Sequence, residues 1–196
     1  MVRNRSRQSP ARQEFDQFVA DSVEGLLRAA YLIAWDFAEA EDLVQECLLR
    51  MADRWPRVRT MEHPAAYGRK VLVNLALDEG RRRTRRRAEL DSSRTHPVDQ
   101  QEDPDAVRVL GWVETGTDLS RALGELAPRQ RAALVLRYFD DLSEAQTADV
   151  MGCSVGTVKS TTSRALERLR GVVDRQGLQW TATERPTQKP EGSVTR

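Results

Sequence analysis

The 196-residue chain has few of the residues on which catalytic sites, metal sites and disulfide frameworks depend. It contains two cysteines and two histidines, and their spacing is not that of metal ligands. His63 precedes a proline at a predicted helix start, and His96 lies in a polar stretch. The sequence shows no serine–histidine–acid set and no glycine loop that would cradle phosphate. It therefore does not indicate an enzyme, a metal site or a cofactor.

Long apolar runs are also missing. No run approaches the roughly 18 residues that span a bilayer, and the arginine-rich N-terminus lacks the apolar core of a signal peptide. Cys47 and Cys153 fall on or beside predicted helices in different parts of the chain. This placement favours two packing thiols over a disulfide or a redox pair. We expect a soluble, cytoplasmic protein that does not insert into a membrane.

What the chain does have is charge, which makes up 31% of its residues and is segregated along the sequence. The net charge is only +1, yet six arginines occupy the seven positions from Arg81 to Arg87. An acidic group follows between residues 99 and 105. Such segregation is typical of a protein in which one segment meets phosphate and another must not. A solvated charge run is the alternative interpretation of the arginine block.

Apolar residues recur at helical spacing, which predicts an all-α fold of two small domains joined by a flexible linker. The first domain is expected at 12–87, with three helices sharing one core. Its second helix begins at an Asp36 cap and ends near Pro56. Its third begins at His63-Pro64, with an inward stripe formed by Tyr67, Val71, Leu72 and Leu75.

The remaining boundaries follow from composition. Residues 88–117 are polar and contain two prolines, as linkers do, although Trp112 has no assigned role. A second helical domain is expected at 118–174, including a helix opened by Pro128. The tail at 175–196 lacks a core and is expected to be disordered.

The segment from Leu142 to Arg170 predicts a helix-turn-helix. Ser143 and Gln146 have the spacing of a capping box, Gly152 ends the first helix, and Ser154 can cap the second. An apolar stripe on the second helix would be formed by Val155, Val158, Thr162, Ala165, Leu166, Leu169 and Val172. The opposite face offers short hydroxyls and cations to a DNA groove, from Thr157, Lys159, Ser160, Ser163 and Arg164.

Two further faces suggest partners. On the third helix, three- and four-residue spacing aligns a polar stripe of Lys70, Asn74, Asp78, Arg81, Arg82 and Arg85. That stripe is suited to follow a nucleic-acid backbone, although a solvated face is an equal alternative on composition alone. On the second helix, Asp42, Gln45 and Glu46 share a face away from the core, where negative charge would repel DNA and could dock a protein.

Three segments in order, EAEDLVQECLLRMADRW, HPAAYGRKVLVNLALDEGRRRTRR and the stretch from LAPRQR to LERLR, resemble the extracytoplasmic-function (ECF) group of the bacterial sigma-70 family. The likeness is closest to an arginine-rich branch common in actinobacteria and covers about residues 12 to 173. It implies a region 2 domain and a region 4 domain, joined by a linker threaded through RNA polymerase.

The resemblance also implies roles for the polar faces. It assigns docking on the β′ clamp helices of core RNA polymerase to Asp42, Gln45 and Glu46. It assigns the reading and melting of the −10 element to Tyr67, Lys70, Asn74, Asp78, Arg81, Arg82 and Arg85. It assigns the reading of the −35 element to Thr157, Lys159, Ser160, Ser163 and Arg164. The β subunit, promoter DNA and an anti-sigma factor are the other partners that it implies.

Two alternatives belong to other classes of protein. A repressor or activator would use the helix-turn-helix to bind operators as a dimer, and a two-fold symmetric DNA site would favour it. A helical nucleic-acid enzyme would need a metal-dependent turnover that survives mutation of both Asp42 and Lys159. The acidic and arginine-rich helices of the first domain favour the sigma factor.

Overall fold

A computed structural model describes residues 9–90, here called the N-terminal unit, and residues 122–175, the C-terminal unit. In both ranges every regular element is a helix, so the all-α prediction is confirmed. The domain boundaries stay predictions. Most of the predicted linker, with Trp112, and nearly all of the predicted tail lie outside the described residues.

The helices of the described residues are α1 (Pro10–Ala34), α2 (Phe37–Val58), α3 (Pro64–Leu90), α4 (Pro128–Leu134) continued by a π-helical turn (Val135–Phe139), α5 (Glu144–Met151) and α6 (Val155–Arg175).

Local signals set most helix starts. The Asp36 carboxylate accepts a hydrogen bond of 2.9 Å from the Glu39 amide, which confirms the predicted cap of α2. Pro128 stands in the first turn of α4, where its missing N–H costs nothing. The predicted end of α2 near Pro56 is confirmed, since the helix runs through this proline and ends two residues later, at Val58. Pro56 lies in the last turn, so it interrupts little of the hydrogen-bond ladder.

In the N-terminal unit, α1, α2 and α3 pack around one core. The rings of Phe15 and Phe18 lie 5.1 and 5.2 Å from the Trp55 ring, centroid to centroid, and join α1 to α2. On α3 the predicted inward residue Leu72 is buried, and Tyr67, Val71 and Leu75 are half-buried against the same core. Val73, Ala76 and Leu77 are also buried, although the sequence did not predict it. Their burial has a tertiary cause, because α3 contacts α1 and α2 as well as α4 and α5.

The two units share a hydrophobic cluster. Apolar residues of the C-terminal unit pack into the core built by α1 to α3; they are Ala132, Ala133, Val135, Leu136, Val150 and Met151. A second cluster holds α6 against α4 and includes Leu134, Ala165, Leu169 and Val172. The helix-turn-helix therefore contacts the N-terminal unit through its first helix, α5.

Arg131 on α4 joins the units through hydrogen bonds. Its side chain is 5% exposed, and its Nε and Nη2 donate to the carbonyls of Ile33 and Ala34 at 2.8 and 3.1 Å. These carbonyls end α1, where they lack intrahelical partners and where the helix dipole is negative. Burial, and after it the Arg83 charge, lowers the pKa of Arg131 to about 10, so the guanidinium remains a cation at neutral pH.

None of the helices in the described ranges combines the length and the hydropathy needed to cross a lipid bilayer.

The buried thiol of Cys47 provides a test of this packing. Burial raises the pKa of Cys47 to about 11, and its Sγ donates to the Gly68 carbonyl at 3.4 Å. At pH 8 only about one Cys47 in a thousand would be thiolate, the reactive form. We expect a thiol-alkylating reagent to modify half-buried Cys153 and to spare Cys47 until denaturant is added, as read by mass spectrometry.

The matched control is Cys47→Ser, which should label in the native state as the parent does. Equal modification of both thiols in the native protein would contradict the packing of α2 against α3.

Candidate nucleic-acid and protein interfaces

The turn of the helix-turn-helix forms as its sequence predicts. Ser143 Oγ accepts from the Gln146 amide at 3.2 Å, and Gln146 Oε1 accepts from the Ser143 amide at 2.8 Å, which completes the capping box. Gly152 ends α5 in the left-handed conformation, with φ of 60°. Ser154 Oγ then accepts from the Thr157 amide at 3.1 Å and caps α6.

The recognition face of α6, meaning Thr157, Lys159, Ser160, Ser163 and Arg164, is exposed except for half-buried Thr157. The Thr157 hydroxyl shares a hydrogen bond of 2.9 Å with Ser154 Oγ, so it belongs partly to the cap. Lys159 Nζ lies 3.4 Å from Glu144 Oε2. On the opposite side Val158, Ala165, Leu169 and Val172 are buried as predicted. The inward placement of Val155 is wrong: this first residue of α6 is 39% exposed.

A groove of about 360 Å³ lies beside the recognition face, between the π-helical turn and α6. Arg137, Lys159 and Arg170 bring three cations to its wall, together with Ser163 and one acid, Glu144. Arg137 is held in place because it donates to the Leu142 carbonyl. A groove rich in cations suits a phosphate backbone. The sequence analysis missed Arg137 and Arg170, since only the π-helical turn brings Arg137 to α6.

The α3 stripe is exposed along most of its length, at Asn74, Asp78, Arg81, Arg82 and Arg85. At the start of α3, Lys70 of the stripe and the nearby Tyr67 form hydrogen bonds to other helices. Lys70 Nζ lies 2.9 Å from both carboxylate oxygens of Asp149 on α5. The hydroxyl of half-buried Tyr67 accepts from Arg54 on α2 at 3.0 Å.

Acids partner most of the arginine block. Arg81 pairs with Asp78, Arg86 with Glu79, and Arg83 with Glu39 across the gap to α2. Arg82 lies 3.5 Å from Glu79. Glu39, an acid in the first turn of α2, therefore also positions α3. The Arg81–Asp78 pair is exposed on both sides and is therefore weak, so phosphate can replace its acid. The Glu39 side chain is only 12% exposed, so the Arg83–Glu39 pair is not of this kind.

The acidic face of α2, meaning Asp42, Gln45 and Glu46, is exposed. Beside it, α1 and α2 enclose an apolar groove of about 500 Å³. Its lining includes Phe15, Val19, Leu48 and Leu49, and Leu49 is 64% exposed. An exposed apolar groove next to charged residues is typical of a protein-docking surface. The sequence analysis missed this groove, because the spacing of Leu48 is also that of a core residue.

Within residues 9–90 and 122–175, no three or more histidine, cysteine or acidic side chains come together as metal ligands would.

Comparison with known proteins identifies the family. The family models of sigma-70 region 2 and sigma-70 region 4 match residues 18–86 and 117–169. The chain is 34% identical to the RNA polymerase sigma-E factor of Streptomyces coelicolor over 172 residues, which is 88% of this chain and 93% of that relative. It is 32% identical to the ECF RNA polymerase sigma factor SigE of Mycolicibacterium smegmatis, over 82% of this chain and 62% of that one.

A solved structure shares the fold. The sigma factor RpoE of Bartonella quintana, crystallised with the anti-sigma factor NepR, matches with a TM-score of 0.61 and 24% identity. The match covers 83% of this chain and 98% of RpoE. Sigma-70 regions 2 and 4, carried here on two helical units, define a class of transcription initiation factors. The chain belongs to the ECF group of the sigma-70 family, the RNA polymerase sigma factors that direct promoter-specific initiation. The dimeric operator-binding alternative is not favoured.

Two glycine-to-alanine substitutions test whether the left-handed turn between α5 and α6 is formed. Gly152→Ala places a side chain at φ of 60° and should lower the free energy of unfolding by about 1–2 kcal/mol. Gly156→Ala, in the first turn of α6, should be neutral or raise it by up to about 1 kcal/mol. A Cβ there has Ser154 Oγ as its nearest neighbour, at 3.8 Å.

Urea denaturation followed by circular dichroism measures both changes. Equal effects of the two substitutions would mean that the left-handed turn is not formed.

Proposed function

We propose that this sigma factor docks on core RNA polymerase through the acidic face and apolar groove of α1 and α2, and that it reads promoter DNA with α3 and α6. The observation that carries the proposal is the separation of the three polar sets. Negative charge lies on α2, an amide and arginines on α3, and hydroxyls with cations on α6. DNA would be repelled by the first set and attracted by the other two.

For the polymerase, the proposed contact combines charge with apolar burial. Asp42 and Glu46 would attract basic residues, and the groove beside them would accept apolar side chains of a helical partner such as the β′ clamp helices. Glu46 pairs with Arg50 at 2.7 Å, an exposed contact that a partner cation can replace at little cost. The β subunit is a further partner in this proposal.

For the −35 element, α6 would lie in the major groove. Lys159 and Arg164 would reach base edges or phosphates, while Ser160 and Ser163 are short enough to permit close approach. Arg137 and Arg170 would hold the backbone beside the recognition face, because they line the cationic groove there.

For the −10 element, the α3 stripe would bind the separated strand more tightly than the duplex. Asn74 would bond a base, and Arg81, Arg82 and Arg85 would hold phosphates. Strand opening would then be driven by binding, without nucleotide consumption or any chemical step by this chain. The protein would act in the cytoplasm, with polymerase. An anti-sigma factor is included among its proposed partners because RpoE was crystallised with one.

Charge reversal on the acidic face tests the docking proposal. Asp42→Arg should weaken binding to core RNA polymerase by about tenfold or more, because like charges would face each other across the contact. Glu24→Arg, the same change at an exposed site on α1, should bind as the parent does. Surface plasmon resonance with immobilised core enzyme measures both.

Circular dichroism establishes that each variant is folded. Parental affinity in folded Asp42→Arg would remove the docking proposal.

Selectivity at the −35 element tests the recognition face. Arg164→Ala should reduce the preference for the cognate element by about 1–3 kcal/mol if Arg164 contacts a base. Arg168→Ala, one turn further along α6 and also exposed, should leave that preference unchanged. Transcription in vitro from promoters with single −35 substitutions gives the values. An equal loss on every upstream sequence would assign Arg164 to phosphate.

A further inference from the structure

We propose that Glu144, at the start of α5, contacts DNA together with Lys159 of α6, and that the two side chains select one G·C base pair of the −35 element. The inference rests on the proposed function, because it adds a residue outside the recognition helix to the proposed contact of α6 with the major groove. Lys159, for which bases and phosphates are both open above, is thereby assigned to a base.

Glu144 and Lys159 face each other across the turn of the helix-turn-helix. Lys159 Nζ lies 3.4 Å from Glu144 Oε2. Both side chains still reach solvent, with exposed fractions of 62% for Lys159 and 41% for Glu144. The capping box fixes the backbone at the start of α5, and the Ser154 cap fixes it at the start of α6. The backbone positions of both residues are therefore set before DNA binds.

The Glu144 carboxylate does not suit a surface that binds phosphate alone. It is the single acid among the described residues that line the groove beside the recognition face, where Lys159, Arg137 and Arg170 also lie. A negative charge at this place would repel the DNA backbone. Base edges are different, because cytosine N4 and adenine N6 are donors in the major groove and a carboxylate accepts from cytosine N4. Glu144 therefore suits a base better than a phosphate.

The hydrogen-bonding pattern of one base pair matches this ion pair. The major-groove edge of G·C presents guanine N7 and O6, which are both acceptors, and next to them the amino group of cytosine N4. Guanine O6 and cytosine N4 share a pairing hydrogen bond, so they lie about 2.9 Å apart. The 3.4 Å between Lys159 Nζ and Glu144 Oε2 is close to that spacing. Lys159 would donate to guanine while Glu144 accepts from cytosine.

The contact with DNA does not require the ion pair to break. A lysine ammonium has three donors and a carboxylate has about four acceptor sites, so each side chain keeps capacity for a base. An A·T pair matches less well, because its amino group lies between two acceptors. A cation beside the carboxylate would then reach only one of them. The pair of Glu144 and Lys159 should therefore prefer G·C.

Selection from a promoter library tests the pair in the full-length chain bound to core RNA polymerase. The library carries random bases at the −35 element, and the bound promoters are sequenced. The parent should enrich G·C by about tenfold at one position, and Glu144→Ala and Lys159→Ala should each lose most of that enrichment at the same position. The double variant should lose little more than either single variant, because the two residues contact one base pair.

Glu24→Ala is the matched control. It also removes an exposed acid from an ion pair, in which Glu24 lies 2.8 Å from Arg28 on α1, and it should select promoters as the parent does. Circular dichroism establishes that each variant is folded.

Base analogues at the selected position assign each contact. N4-methylcytosine replaces the amino hydrogen that faces the major groove, so it should weaken promoter binding by the parent severalfold and leave binding by Glu144→Ala unchanged. 7-Deazaguanine lacks the N7 acceptor, so it should weaken binding by the parent and leave binding by Lys159→Ala unchanged. A merely structural role of Glu144 would not make the effect of an analogue depend on the variant.

Three results would overturn the inference. They are a folded Glu144→Ala that keeps the parental preference at every position, tighter binding of Glu144→Ala to all promoters, which would place the carboxylate beside a phosphate, and a preference for A·T at the shared position. A parent without any preference at the −35 element would overturn the proposed function as well. A preference that depends on Arg164 but not on Glu144 would leave the proposed function standing and remove only the role of Glu144.

Discussion

The end of α1 needs hydrogen-bond donors, and Arg131 supplies them from the other unit. The carbonyls of Ile33 and Ala34 have no partner within their own helix, and burial would leave them costly without one. A guanidinium satisfies both because its N–H groups form a planar fork. The relative position of the two units depends on this contact, and the small side chains Ala132 and Ala133 permit the close packing around it.

Acidic and basic side chains are separated among the exposed helix faces of the described residues. The acids at the start of α2 favour its helix dipole, while those further along face solvent beside an apolar groove. The arginines at the end of α3 have local acids as partners, which limits their mutual repulsion in the free protein. The proposed protein-docking face and the proposed nucleic-acid face therefore lie a few turns apart, and their opposite charges suit different ligands.

The features predicted correctly from sequence depend on near neighbours. The Asp36 cap, the Ser143–Gln146 box and the turn at Gly152 follow from residues three or four positions apart, whatever the rest of the fold does. Sequence periodicity missed the burial of Val73, Ala76 and Leu77 on α3, because the second unit also packs against this helix. Arg131 and the groove near Arg137 could not be foreseen either, since both arise where distant segments meet. The assignments of the three binding faces remain proposals, although most of their residues lie on the surface as expected.

The π-helical turn at Val135–Phe139 has a consequence for the orientation of everything that follows it. An α-helix advances 3.6 residues per turn, so each residue inserted or removed swings the downstream chain by about 100°. The wider turn keeps Leu136 in the core while Tyr138 faces solvent. Loss of a single residue here would restore regular α-helical winding and rotate the helix-turn-helix relative to the N-terminal unit. Among relatives we therefore expect the number of residues in this turn to vary less than their types.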